Sequence, residues 1–402
     1  MSKDWNLIGL GDLGVLRLRG PDAVKFLQGQ VSNDVEKLSA ERSQLAGYHN
    51  PQGRVIALIR LVQLAADDVL AVLPRELVAS VASRLSKFVL RAKVKITDES
   101  SGWSVTGLVA PHSPPPHWGT TPDWPARPQG AGVTADANAQ AGGNATLAAS
   151  NGGDASSADL SAAFEARSMS WAAAQFASAR AAAEATGETS SAAAQLEEAD
   201  SVVELPAASA FMLPDAPDVQ ALSGTTVIVR LGATPARWLL LTPVGEPAPL
   251  SGCTEGQRDA WRLLDIADGV AQVYAATSEE FVAQMLNLDA LGGIAFDKGC
   301  YTGQEVIARA HYRGRVKRRM QRFFSRGELK LAAGESGQLA DGRTFKVVDA
   351  VQLANGRCEF LAVAPLVVGG GEEAAPGVAA AVANTSAAVD AEVLPLAYPL
   401  PE

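Results

Sequence analysis

Cys300 lies two residues after Lys298 and two before Thr302, at the edge of an apolar-periodic run (Thr302-Gly303-Gln304-Glu305-Val306-Ile307). Thr302 followed three residues later by Glu305 predicts a capping box and a short helix. Val306, Ile307 and Ala310 give that helix its apolar face. The positive mouth of a helix and a neighbouring ammonium both favour a thiolate, the form that attacks electrophiles or takes a metal. Free N–H groups there would also seat a carboxylate or phosphate. The opposing reading of Cys300 is a small buried hydrophobe, the commonest fate of a free cysteine. Cys253 and Cys358 have no comparable setting and read as structural.

Tyr301 and Gln304 have no local structural duty, so they read as ligand contacts. Lys298 and Arg309 could hold ligand carboxylates, although Arg309 serves equally as a solvated cation at the helix end. Thr302 and Glu305 are accounted for by capping, and Asn287 and Asp289 by an Asx-rich turn, with ligand contact as the alternative. Gln30, Asn33 and Asp34 lie along or just after one side of an early helix and read from pattern as its solvated face.

These residues need a frame. Leu13–Leu18 predicts a strand, and Pro21-Asp22 opens a helix with Val24, Phe26, Leu27 and Val31 inward. Residues 44–64 predict a hairpin turning at Asn50-Pro51-Gln52-Gly53. A strand (Val69–Leu73), a helix (Arg75–Phe88) and a basic strand (Lys93–Ile96) follow. After 211 come a strand pair (Thr225–Val229, Arg237–Leu241), helices over Glu255–Asp265 and Ser278–Leu288, and a strand at Ile294–Phe296. Short strands at Gln321–Phe324, Thr344–Val348 and Gly356–Val363 predict a small barrel. The class is α+β. Residues 112–210, rich in Pro, Ala, Ser and Gly, read as a mostly disordered insertion with a helix over Phe164–Glu184. Residues 369–390 read as a Gly/Ala-rich loop.

The 402 residues carry a net charge of −10, and 112–210 holds eleven Asp/Glu against three Arg. General nucleic-acid binding is not expected. The basic run 309–322, with seven Arg/Lys and no acid, is a solvated face or a seat for a polyanion. Without interleaved aromatics it predicts no sequence-specific reading of RNA. Three cysteines without CxxC spacing do not hold an iron–sulfur cluster of their own, and no resident metal site is expected. The start of the chain shows no signal pattern and no apolar run reaches membrane length. A cytoplasmic monomer is expected.

Lys298–Glu305 (KGCYTGQE) followed by Arg309 resembles the signature of the YgfZ family. FLQGQVSNDV (26–35), GYHNPQGRVIALIRL (47–61), KFVLRAKVKI (87–96), WRLLDIADG (261–269) and LPLAYPL (394–400) resemble further blocks of that family, in its order. The family comprises folate-binding proteins that assist iron–sulfur enzymes, including tRNA-modifying ones, and is related to the glycine-cleavage aminomethyltransferase (T-protein). The resemblance implies two interleaved ferredoxin-like sub-domains (1–111 with 211–312) and a C-terminal β-barrel (313–402) around a central pocket. It implies tetrahydrofolate as cofactor in a pocket bordered by Gln30, Asn33 and Asp34, Cys300 with Lys298 as the reactive pair, and iron–sulfur client proteins as partners. The T-protein's catalytic aspartate has no counterpart in Val55-Ile56-Ala57-Leu58. Its pterin-contacting glutamate matches Ala267, flanked by Asp265 and Asp268. Whether the chain is an enzyme stays open. The alternatives are a folate-dependent aminomethyl transferase and a scaffold that binds partners without catalysis.

Overall fold

The computed structural model describes residues 5–110, 213–232, 235–246, 250, 253–314, 316–366 and 388–401. All fall within one compact unit, Met1–Thr121 with Glu204–Glu402. The insertion expected at 112–210 and most of the loop expected at 369–390 lie outside the described residues.

In chain order the elements are β1 (Asn6–Gly9), β2 (Leu13–Arg19), α1 (Ala23–Gln28), β3 (Gln44–His49), β4 (Val55–Ala65), β5 (Asp68–Pro74), α2 (Arg75–Ser86), β6 (Lys95–Asp98) and β7 (Trp103–Val109). Then come β8 (Gln220–Ser223), β9 (Thr226–Gly232), β10 (Arg237–Pro243), β11 (Thr254–Gly256), α3 (Arg258–Asp268) and α4 (Gln304–Tyr312). The chain closes with β12 (Arg318–Ser325), β13 (Ser336–Gln338), β14 (Thr344–Gln352), β15 (Cys358–Pro365) and β16 (Ala391–Leu394). Few helices and many strands make the described residues α+β.

The strands form three sheets, ordered β3-β4-β5-β2-β6, β11-β1-β7-β10-β9-β8 and β13-β14-β15-β12-β16. The first strand of the chain therefore joins the second sheet, beside strands from either side of the insertion. Alternation along β2 explains how the first two sheets meet. Leu13 and Val15 point into a core shared with Leu239, Leu241 and Trp261, whereas Leu16 and Leu18 pack with Phe26 and Leu77 of the helices. β5 repeats the pattern, Leu70 and Val72 one way and Val69, Ala71 and Leu73 the other. The third sheet stacks Phe323 on Phe360 at 5.2 Å within its own core. Its other face adds Met320, Val348, Leu361 and Val363 to the main core.

Several expectations are corrected. The C-terminal strands form an open five-stranded sheet, not a closed barrel. The helix expected over Ser278–Leu288 is a 3-10 turn, Ala283–Leu286, ended by Asn287 at φ 57. Residues 294–296 form no strand; Ala295 N–H donates singly to the Ser32 carbonyl at 2.9 Å. An apolar triplet flanked by glycines lacked the length that separates a strand from a packed loop. Among the described residues no helix is long and apolar enough to cross a membrane.

Candidate functional site

The loop 297–303 is fastened at both ends. At its entry Lys298 Nζ donates to the Val31 carbonyl at 2.8 Å and the Asn33 carbonyl at 2.6 Å. Burial pushes this ammonium down to about 8, against the pull of Asp34 and Glu36. At its exit Gly303, at φ +82, lies against the β3–β4 turn, where a Cβ would stand 2.5 Å from the Asn50 carbonyl oxygen. At Gly53 of that turn, φ +71, a Cβ would stand 2.9 Å from Val306 Cβ. Both positions demand glycine for the backbone angle and for the space. Between these anchors Cys300 is exposed. Tyr301 turns inward, with Lys298 Nζ 5.2 Å from its ring centre and the His49 ring 6.2 Å away. Burial raises its hydroxyl to about 12.

The expected capping box does not form. α4 begins at Gln304, Gly303 takes the cap position, and no side chain closes the first turn. Seating the hairpin turn fixes that choice, because the left-handed glycine is what lets the two backbones meet. Thr302 is thereby outside the cap, and Glu305 is exposed. Among the described residues neither Lys298 nor the helix start makes a hydrogen bond to Cys300.

The remaining site residues divide into two groups. Asn287 and Asp289 serve the frame. Asn287 Nδ2 donates to the Met320 carbonyl at 2.9 Å and to Tyr398 Oη at 3.2 Å. Asp289 holds Arg319 through two bonds, at 2.9 and 2.8 Å. Asn33 bridges the carbonyls of Leu45 and Gly292, and Asp34 accepts from Gln28. The Gln28 bond and Lys37, opposing the effect of burial, keep Asp34 below the usual carboxylate range. Gln304 reaches back to the Lys298 carbonyl at 3.4 Å. The second group is open to a ligand. Gln30 Oε1 is buried without a hydrogen-bond partner among the described residues. Arg309 is exposed, with no ion pair there.

Sequence reading passed over two features. His49 is 1% exposed, and burial lowers it to about 3, opposed by a backbone interaction with Gly47. Phe296 stacks on His311 at 3.8 Å, with Tyr312 edge-on at 4.7 Å from His311. Phe296 lies fifteen residues before His311, so spacing gave no sign of this cluster.

A cavity of about 70 Å³ lies between the first two sheets, lined by Leu58, Leu239, Trp261, Arg60, Arg237 and Asp265 among others. Arg237 is fully buried and bridges Asp265 at 2.6 Å and Asp268 at 2.7 Å. Burial raises the Asp265 carboxyl, opposed by Arg237. A pterin needs a carboxylate for its amidine edge and an apolar slot for its rings. Asp265 supplies a carboxylate, but it is buried and paired with Arg237, and the Trp261 ring is covered by Gly107 and Arg237. The space is well below the roughly 300–1,000 Å³ of ligand pockets, so a bound pterin requires the walls to part.

No family model matches the chain. The tRNA-modifying protein YgfZ of Cronobacter sakazakii (strain ATCC BAA-894) is 35% identical over 154 residues. The resemblance to YgfZ holds. The match spans 36% of this chain and 47% of that protein, about half its length. Among solved structures, glycine cleavage system aminomethyltransferase T from Bartonella henselae aligns over 90% of this chain and 79% of that one, with TM-score 0.54 and 12% identity. That likeness shows a T-protein-like fold. A heterotetrameric sarcosine oxidase from Corynebacterium sp. U-96 aligns over 28% of this chain and 52% of that one, at 18% identity and TM-score 0.20, and adds nothing to the assignment.

Proposed function

We propose that this chain binds tetrahydrofolate and supports tRNA modification by assisting assembly or repair of iron–sulfur clusters in client enzymes. The observation that carries the reading is an exposed Cys300, held on a loop fastened at both ends, on a T-protein-like fold related in sequence to a tRNA-modifying protein. The pterin enters beside Asp265 only when the walls of the roughly 70 Å³ cavity part. The Cys300 thiolate ligates iron, takes the outer sulfur of a persulfide with release of the donor thiolate, or adds to a one-carbon electrophile, with Glu305, Arg309 and Gln30 as the contacts around it. Lys298 positions the loop through the Val31 and Asn33 carbonyls.

Aminomethyl transfer is the weaker reading. Val55–Leu58 of β4 are all buried and apolar, so this stretch offers no carboxylate for the base that the reaction needs. Calorimetry with mono- and polyglutamylated tetrahydrofolate tests the cofactor; no heat with either removes it. Complementation of a strain defective in iron–sulfur enzymes tests the thiol. Loss of rescue by Cys300→Ser is expected, and full rescue would leave a scaffold role instead.

A further inference from the structure

A second cavity, of about 220 Å³, opens where the β3–β4 turn, the segment before the 3-10 turn and the third sheet meet. Its floor is hydrocarbon, formed by Phe281, Met285 and Val363, with Phe281 and Val363 buried. Its rim carries Arg54, Arg318 and Lys346, and one acid, Glu280. Glu280 pairs with Lys346. The two guanidinium groups have no carboxylate partner among the described residues.

Their bonds go to neutral oxygens. Arg318 donates to Thr344 Oγ1 at 3.2 Å, to the Thr344 carbonyl at 3.0 Å and to the Val363 carbonyl at 3.3 Å. Arg54 Nη1 donates to the Glu280 carbonyl at 2.5 Å. These bonds orient both groups without neutralising them. Burial already disfavours the charge on Arg318. A cation half out of water and short of a counter-charge gains from an anion that reaches it. The planar fork suits a carboxylate or phosphate.

We propose that this cavity is a binding site, distinct from the one between the first two sheets, for a small organic anion: an apolar body about one ring in size with a single carboxylate or phosphate. The body lies on Phe281, Met285 and Val363, and the head meets Arg318 and Arg54. The volume suits a one-ring body and lies below that of drug-sized ligand sites. None of the lining residues belongs to the 297–303 loop, to α4 or to the Asp265 cavity, so the inference stands apart from the folate reading.

Titration of the full chain with benzoate, phenyl phosphate, benzamide and inorganic phosphate, followed by calorimetry, tests it. Benzoate or phenyl phosphate should bind at one site, and whichever binds more tightly identifies the head group. Benzamide, neutral and of the same shape, and inorganic phosphate, without a body, should bind at least tenfold more weakly. Arg318→Met should weaken the better probe at least tenfold. Arg54→Met, in an exposed turn, should do so severalfold, which keeps the test intact if the first variant misfolds. Met285→Trp should abolish binding by filling the floor. Benzamide binding as tightly as benzoate, unchanged affinity in both arginine variants, or no probe binding at 10-fold excess over millimolar protein would overturn the site. Displacement of the probe by tetrahydrofolate would overturn its separateness.

Discussion

Arg319 of β12 and Asp289, two residues beyond the left-handed Asn287, close a buried two-bond ion pair between the third sheet and the chain entering the cysteine loop. Arg319 also donates to the Gln284 carbonyl at 3.0 Å. The third sheet is thereby latched to the segment that carries the site. Removing one partner strands the other charge away from water. Arg319→Met should therefore cost roughly 3–5 kcal/mol, read by urea unfolding. Arg319→Met with Asp289→Leu should recover part of that loss; a double variant no better than the single would show that the charge is not what matters.

The Gly303–Gly53 contact predicts a sharp sensitivity. A methyl at 303 meets the Asn50 carbonyl, which is backbone and cannot swing aside. Gly303→Ala should destabilise by about 1–3 kcal/mol and raise hydrogen exchange over 297–306. An alanine variant as stable as the parent would mean that the hairpin turn does not hold the loop.

His49 predicts an acid-labile fold. Folded, burial keeps it neutral down to about 3, while its ordinary value is 6.5. The unfolded chain then binds more protons between those limits, so stability from this group is intact above 6.5 and falls as the pH drops. The slope it adds is up to about 1.4 kcal/mol per pH unit. His49→Leu should flatten the acid limb of a stability–pH profile. An unchanged limb would place the acid sensitivity elsewhere.

Thiol accessibility separates the cysteines. Cys300 is exposed, whereas Cys358 is buried and its thiol is pushed up to about 12. In the native protein an aromatic disulfide reagent should label Cys300 within the mixing time of the slow sites and leave Cys358 untouched until unfolding. Cys300→Ser should change stability by no more than about 0.5 kcal/mol. Slow labelling of Cys300 would show that its loop is covered.

Most of the frame was legible because its signals are local. The alternation in Leu13–Leu18 and the turn residues Asn50–Gly53 place β2 and the β3–β4 hairpin where spacing puts them. The site was less so, because its decisive contacts join residues far apart in sequence. Thr302 and Glu305 satisfy the capping pattern, yet a backbone contact with Asn50 claims the cap for Gly303. Lys298 reads as a partner for Cys300, yet carbonyls more than 260 positions earlier hold it. His49 carries no flanking pattern that marks a fully buried ring.

The double fastening of the 297–303 loop holds the backbone on both sides of Cys300. The exposed sulfur sits on an anchored backbone and presents the same face to every reagent that arrives, so the size and charge of the reagent should set how fast it is modified.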